Sequence, residues 1–363
     1  MEDEELEDFR LSLQELQAMT DPENYVPAIS GPALMEMEFP PREHVVRGLI
    51  TKGLSILAGK AKIGKSWLVL DLCLHVAKGE PFWGMEVEQG TAWYLSLEDT
   101  NDRMQWRLSC ITADVPDNIQ ITTKDHKPGT MADSLPGVID KFMRKYPDTK
   151  LIVIDTMQVA KGTSKDPQYG RDYMDTNAFK DIADKYKVAV VLTHHLRKMG
   201  DKDPLNKISG STGISGAADS LLVLDRPNRM KGNAKLICTG RDIVEREMEL
   251  QFDKTDCLWK KITDSTCEDA PQLPPEMNAL AEFIKSIGSY EGGNTALAEQ
   301  FAQHAGINWS AKVLKQKMNR WRYELEEAGV RFRSYETSHG KMVAVSYTPP
   351  TSHTSQNSQK VPA

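Results

Sequence analysis

No stretch of the 363 residues is apolar over the length needed to cross a bilayer, and the first five, Met1-Glu2-Asp3-Glu4-Glu5, are acidic where a secretory leader would be basic. A soluble protein with no membrane partner is expected. Cysteine is scarce. Cys73, Cys110, Cys238, Cys257 and Cys267 lie far apart with no CxxC pair, which argues against a zinc site and against a disulfide framework. That usage fits a reducing, cytoplasmic compartment. Positive charge is not in excess either: 45 Lys and Arg against 52 Asp and Glu leave a formal net charge of −7. The chain is therefore no basic nucleic-acid coat, and any nucleic-acid contact must use a local patch. No internal repeat is visible. What remains is a hydrophobic fraction of 40% in a length that suits one large domain plus a small one, or two medium ones.

The pattern along the chain divides it. Residues 1–41 form an acidic arm and linker, in which Leu6, Phe9, Leu13 and Leu16 recur at helical spacing. That helix is either a solvated arm or a docking helix for a neighbouring copy. Residues 42–262 alternate apolar runs with helical patterns: strands at Leu54–Ala58, Thr91–Leu97, Leu151–Asp155, Val188–Thr193, Ser220–Leu224 and Ala234–Thr239, and helices at Trp67–Ala77, Ser134–Lys145 and Thr176–Lys185. Continuously apolar strands separated by helices predict an α/β domain with a mostly parallel sheet covered on both faces. A proline-rich joint spans 263–275. Residues 276–348 then read as helices Glu276–Ile287, Ala296–His304 and Ala311–Ala328 followed by a hairpin, Val330–Tyr335 with Met342–Tyr347. The Ser/Thr/Pro/Gln-rich tail, 349–363, is expected to be disordered.

Gly59-Lys60-Ala61-Lys62-Ile63-Gly64-Lys65-Ser66 spells G-x-x-x-x-G-K-[ST] between an apolar strand and an amphipathic helix. In that context the motif is a phosphate-binding P-loop. Its glycines let successive backbone N–H groups turn inward at the β- and γ-phosphates, with the positive end of the next helix behind them. Lys65 would neutralise phosphate charge and the Ser66 hydroxyl would ligate Mg²⁺. The apolar strand ending in Asp155, 90 residues after Lys65, fits a Walker B strand that holds Mg²⁺ through water. Another strand, Trp93–Leu97, ends in Glu98-Asp99. A glutamate at a strand's C-terminal edge sits where ligands bind in open α/β sheets, and Glu98 could deprotonate a water that attacks the γ-phosphate. A third strand ends in His194-His195, where a side chain could contact that phosphate or simply pack.

These elements occur in the same order in RecA-like ATPases. With Leu54-Ser55-Ile56-Leu57-Ala58-Gly59 and Gly210-Ser211-Thr212-Gly213, residues 42–255 resemble the RepA-type hexameric replicative helicases of plasmids and phages. The resemblance implies a RecA-like core that uses ATP and Mg²⁺, with Glu98, Lys65, Arg241 and His194 catalytic, the loop Gly59–Ser66 and Asp155 binding nucleotide, and Ser66 and Asp155 serving the metal. In that family the site lies between subunits and a neighbour supplies a positive finger. Arg241 ends a similar strand here, with Arg226 and Arg229 as further candidates. The position two before it, a lysine in related rings, is Thr239.

In such rings the loops after the Walker B and following strands, about 157–175 and 196–211, face a channel for single-stranded DNA. Arg197, Lys198, Lys202 and Lys207 suit that contact, with Asp201 and Asp203 diluting it. The C-terminal pattern resembles a winged helix, an α+β module that docks duplex DNA or protein. On its third helix Leu314, Met318, Trp321 and Leu325 follow a core spacing, whereas Lys312, Lys315, Asn319 and Arg322 fall on another face. Arg331 and Arg333 on the hairpin add charge, and 312–341 holds eight Lys and Arg against four Glu. The reading is an oligomeric, hexameric ATPase acting as a DNA motor. The alternative is an ATP-dependent DNA-binding regulator or recombination mediator, and a P-loop kinase is a third reading.

Overall fold

The computed structural model describes residues 28–31, 34, 43–126, 135–160, 169–196, 216–226, 232–265, 273–337 and 340–349. The helical arm at 1–20, Arg229, the tail from 350 and the basic residues Arg197, Lys198, Lys202 and Lys207 lie outside them. The described residues fall into two compact units, one within 42–272 and one that groups 273–350 with the few described residues before 42.

The larger unit begins with a small antiparallel pair, β1 (His44–Val46) and β2 (Ile50–Thr51). It continues through β3 (Gly53–Gly59), α1 (Lys65–Lys78), β4 (Thr91–Ser96), α2 (Asn101–Ile111), β5 (Ile119–Thr123), α3 (Leu135–Lys145), β6 (Thr149–Asp155), α4 (Met157–Ala160), α5 (Tyr169–Tyr186) and β7 (Ala189–His195). β8 (Ser220–Asp225), β9 (Asn233–Gly240), β10 (Arg246–Asp253) and β11 (Leu258–Asp264) complete it. Nine strands form one sheet in the order β11-β10-β9-β8-β3-β7-β6-β4-β5. The six from β8 to β5 are parallel, and β9, β10 and β11 extend the sheet antiparallel.

Every residue of β3 and β4 is buried, because both faces of the sheet are covered. One core packs α1 against Leu57, Tyr94, Val153 and Val191 and continues to Leu236, Leu250 and Trp259. The other packs Leu135, Ile139 and Met143 of α3 and Phe179 and Ile182 of α5 against Leu54, Ile56, Leu95, Ile152 and Ile154. The alternation of Leu54 and Ile56 with Leu57 between the two cores is the period-two reading of a central strand. Although consecutive in sequence, β3 and β4 are separated in the sheet by β7 and β6. Their C-terminal ends line one edge, with Gly59 opposite His195 and Ser96 opposite Asp155.

The smaller unit runs α6 (Pro275–Ile287), β12 (Ser289–Gly293), α7 (Asn294–Ala305), α8 (Ala311–Arg320), α9 (Arg322–Glu327), β13 (Val330–Thr337) and β14 (Gly340–Tyr347), with an antiparallel sheet ordered β12-β14-β13. Its core joins Met277, Leu280, Phe283 and Ile284 to Phe301, Leu314, Met318 and Val345. Ser310 caps α8 by accepting a bond from the Val313 N–H at 3.3 Å, as the sequence leads one to expect. Two features differ from the sequence reading. The third helix breaks at Trp321, which leaves the helical region (φ −105°, ψ 24°). A short strand, β12, precedes α7, which starts at Asn294 rather than Ala296 and has Gly293 as its N-cap.

Candidate functional site

The P-loop joins β3 to α1. Gly64 sits at φ 105° as the N-cap of α1, a conformation that an L side chain resists. A β-carbon on Gly59 would approach Ile63 Cδ1 to 2.6 Å and the Leu224 carbonyl to 2.8 Å, so the turn admits only glycine there. Lys60, Ala61 and Lys62 form the exposed crest, and Ile63 anchors the loop into the core. Outside help comes from the antiparallel extension. The Trp259 indole N–H donates to the Gly64 carbonyl at 3.1 Å, and Trp83 donates to the Trp259 carbonyl at 2.7 Å. Laid flat, β11 would stand four strand spacings from β3, about 19 Å. The contact therefore requires the extension to curl over α1.

Lys65 is 5% exposed. Its ammonium has three donors and meets three acceptors: the Gly59 carbonyl at 2.8 Å, the Lys60 carbonyl at 3.1 Å and His195 Nδ1 at 3.2 Å. Burial lowers its pKa to about 8, against the pull of Asp155 and Glu98. Burial, then the Lys65 charge, also lowers that of His195, so its ring is neutral at neutral pH and accepts at Nδ1. Of the pair His194-His195, it is His195, in register with Gly59, that meets Lys65.

Asp155, also 5% exposed, accepts from Thr193 Oγ1 at 2.5 Å on one oxygen and from the Tyr94 hydroxyl at 2.7 Å on the other. Burial, and then Asp155 itself, drive the Tyr94 pKa well up, so the phenol stays a donor. Glu98 is exposed and accepts from Thr156 Oγ1 at 2.9 Å. Its neighbour Asp99 is buried and paired with Arg107 at 2.9 Å and Arg103 at 3.1 Å. The Glu98-Asp99 pair thus divides, one carboxylate toward the crevice and one into the scaffold.

Arg241 stands elsewhere. Antiparallel pairing sets Gly240 opposite Ser220, which in turn pairs with Ser55, and the Arg241 N–H donates to the Asp219 carbonyl at 2.8 Å. The exposed guanidinium donates to the Gly216 carbonyl at 2.9 Å. Leu54, whose carbonyl receives the Asp219 N–H, is five residues from Gly59, roughly 17 Å along β3. Arg241 therefore lies at the opposite edge of the sheet from its own P-loop. Arg226 lies 5.8 Å from the Trp259 ring centroid.

The donor set fits Mg²⁺ and a polyphosphate. A hydroxyl (Ser66) and a carboxylate (Asp155) are hard oxygen ligands of the kind Mg²⁺ prefers, and the glycine turn leaves backbone N–H groups for phosphate oxygens. Tyr94, Thr156, Thr193 and Trp259 were not singled out from sequence. The hydroxyls of Tyr94 and Thr193 inside otherwise apolar strands were the available signal; Trp259 offered none.

In the smaller unit Lys312, Asn319, Arg331 and Arg333 are exposed and Lys315 is half-buried. Arg322 is engaged by its own hairpin, 4.0 Å from the Phe332 ring centroid and donating to the Phe332 carbonyl at 3.3 Å.

Residues 26–201 match the sequence model of a family described as an AAA domain. No curated protein matches the chain. Among solved structures it is similar to a DnaB-like replicative helicase studied with its primase, at 18% identity and a TM-score of 0.48, over 58% of each chain. It is also similar to a KaiC-like protein of the hyperthermophilic archaeon Pyrococcus horikoshii OT3, at 11% identity and a TM-score of 0.45, over 62% of this chain and 99% of that one. The chain thus spans 58% of the length of the helicase chain that it matches. Among the described residues no helix is long and apolar enough to cross a membrane.

Proposed function

We propose that this chain is the ATP-hydrolysing subunit of a hexameric DNA motor, a RepA-type replicative helicase of a plasmid, phage or other mobile element. The observation that carries the reading is the split of the polar groups. Lys65, Asp155, Glu98 and His195 share one strand edge, and Arg241 sits on the opposite edge. An arginine so placed can serve a phosphate only in a neighbouring subunit.

Nucleotide phosphates occupy the N–H groups of the P-loop, and Lys65 exchanges its Gly59 and Lys60 carbonyls for phosphate oxygens. Ser66 and Asp155 would hold Mg²⁺, which would supply charge neutralisation there. The exposed Glu98 carboxylate, aimed by Thr156, orients a water and takes its proton as the water oxygen bonds to the γ-phosphorus and the bond to the bridging oxygen breaks. The neutral His195 ring links Lys65 to the end of β7 and so reports phosphate occupancy to the segment beyond it. That segment carries Arg197, Lys198, Lys202 and Lys207, which contact single-stranded DNA in the channel. The smaller unit is a winged helix whose Lys312, Lys315, Asn319, Arg331 and Arg333 meet duplex backbone, with Arg322 bracing the hairpin.

The test is displacement of a strand from a tailed duplex by purified protein. Directional, ATP-dependent displacement is expected. ATP-dependent DNA binding without displacement would favour the regulator or recombination mediator.

A further inference from the structure

Asp219 immediately precedes β8 and is buried, 7% exposed, at the sheet edge remote from the P-loop. It meets Leu54 of β3 twice. Its N–H donates to the Leu54 carbonyl at 2.8 Å, and its carboxylate oxygen Oδ2 accepts from the Leu54 N–H at 2.8 Å. The same oxygen accepts from Lys180 Nζ of α5 at 2.7 Å, and Lys180 also reaches Asp184 at 2.8 Å. Two glycines make room for this arrangement. A β-carbon on Gly53 would come within 2.5 Å of Asp219 Oδ2, and one on Gly240 within 2.6 Å of the Asp219 carbonyl oxygen.

That carbonyl receives the Arg241 N–H at 2.8 Å, and three residues earlier the Gly216 carbonyl receives the guanidinium at 2.9 Å. Arg241 is therefore held at backbone and head group by one short segment, 216–219, and Asp219 pins that segment to β3 and to α5. A buried carboxylate is costly unless it is paired and hydrogen-bonded. Asp219 is both, yet it meets β3 roughly 17 Å from Gly59, too far to touch the phosphates of its own subunit.

We propose that Asp219, braced by Lys180, is a positioning residue for Arg241, holding it where a neighbouring subunit's γ-phosphate is met. The proposal rests on the reading of Arg241 as a finger supplied to that neighbour. A finger stabilises the charge of a transferring phosphoryl group only if its guanidinium stands at the right distance, and misplacement by about 1 Å can cost about 10²-fold in rate. Arginine has a long side chain with many rotamers, so fixing its backbone removes much of the play. Because Asp219 grips β3, the finger is also fixed to the strand that ends in its own subunit's P-loop.

The test pairs variants across the subunit boundary. Asp219→Ala should lower turnover about 10²-fold, and Lys180→Met, which keeps the apolar stem of the side chain, severalfold. Both should bind a fluorescent ATP analogue as the wild type does, because the P-loop is intact. Mixing either with Lys65→Ala subunits should restore part of the rate, since the Lys65→Ala neighbour brings a well-placed Arg241 to an intact P-loop. A merely structural role would lower turnover within the altered subunit itself, and no neighbour could restore it. If Asp219→Ala does not fold, as judged by its thermal transition, Lys180→Met decides alone. Recovery in mixtures of Arg241→Ala but not in those of Asp219→Ala or Lys180→Met overturns the proposal and leaves the finger reading standing. No recovery in any mixture, Arg241→Ala included, overturns that reading and the proposal with it. Unaltered turnover in both variants removes Asp219 from the placement of Arg241.

Discussion

The two units handle charge in opposite ways. In the larger one the decisive groups are buried and have internal partners: Lys65 on two carbonyls and His195, Asp155 on two hydroxyls, Asp99 on two arginines. In the smaller one Lys312, Arg331 and Arg333 stand in solvent. Buried groups with fixed partners have preset geometry, which is what chemistry on a phosphate requires. Exposed cations offer only a screened field, which suits reversible contact with a polyanion. Arg241 belongs to neither class. It is exposed, anchored at its backbone, and remote from the site it is proposed to serve.

The sharpest break in this contrast is Arg241→Ala. As a finger supplied to a neighbour, its loss should lower turnover by about 10³-fold or more while ATP still binds, and mixing with Lys65→Ala subunits should restore part of the rate. Rescue absent from such mixtures would return Arg241 to a structural role. Next is Glu98→Gln, which keeps the Thr156 hydrogen bond but removes the base. Turnover should fall about 10²- to 10³-fold with nucleotide affinity retained, as read by single-turnover hydrolysis beside equilibrium binding. Normal turnover in that variant would take Glu98 out of the mechanism.

Smaller effects mark the other side of the contrast. Arg331→Ala with Arg333→Ala should weaken duplex DNA binding about equally across sequences and flatten the slope of log affinity against log salt by roughly two. An unchanged slope would make the smaller unit a protein-docking module. The pH dependence of nucleotide binding tests the buried side. Without phosphate the Lys65 pKa is about 8. Bound phosphate favours the ammonium, so binding takes up a proton wherever Lys65 is neutral. Affinity should hold steady below that pKa and fall above it by up to about tenfold per pH unit. A flat profile for a fluorescent ATP analogue would show that Lys65 does not titrate in this range.

Much of the larger unit was legible because its signals are local. The P-loop needs eight contiguous residues, and Asp155 and Glu98 each end a run of apolar residues. Of the antiparallel extension β9 was read, but β10 and β11 were missed although Arg246, Met248, Leu250 and Phe252 alternate with Glu247, Glu249 and Gln251. Its main contribution, Trp259 on Gly64, spans 195 residues and no local pattern encodes it. β12 was missed because Ser289-Tyr290-Glu291-Gly292-Gly293 has little strand propensity and exists by pairing with β14. The break at Trp321 carries neither proline nor glycine, so the helical spacing ran straight through it. His195 rather than His194 at Lys65 follows from strand register, which one residue of slip reverses.

The central claim is that a site made in one subunit is completed by the next. ATP hydrolysis per subunit, measured across a range of protein concentrations with and without single-stranded DNA, addresses it most directly. The account predicts a specific rate that rises with concentration as subunits assemble, and rises again with DNA. A rate independent of concentration and indifferent to DNA would contradict it and assign the chain to nucleotide-dependent enzymes that act alone.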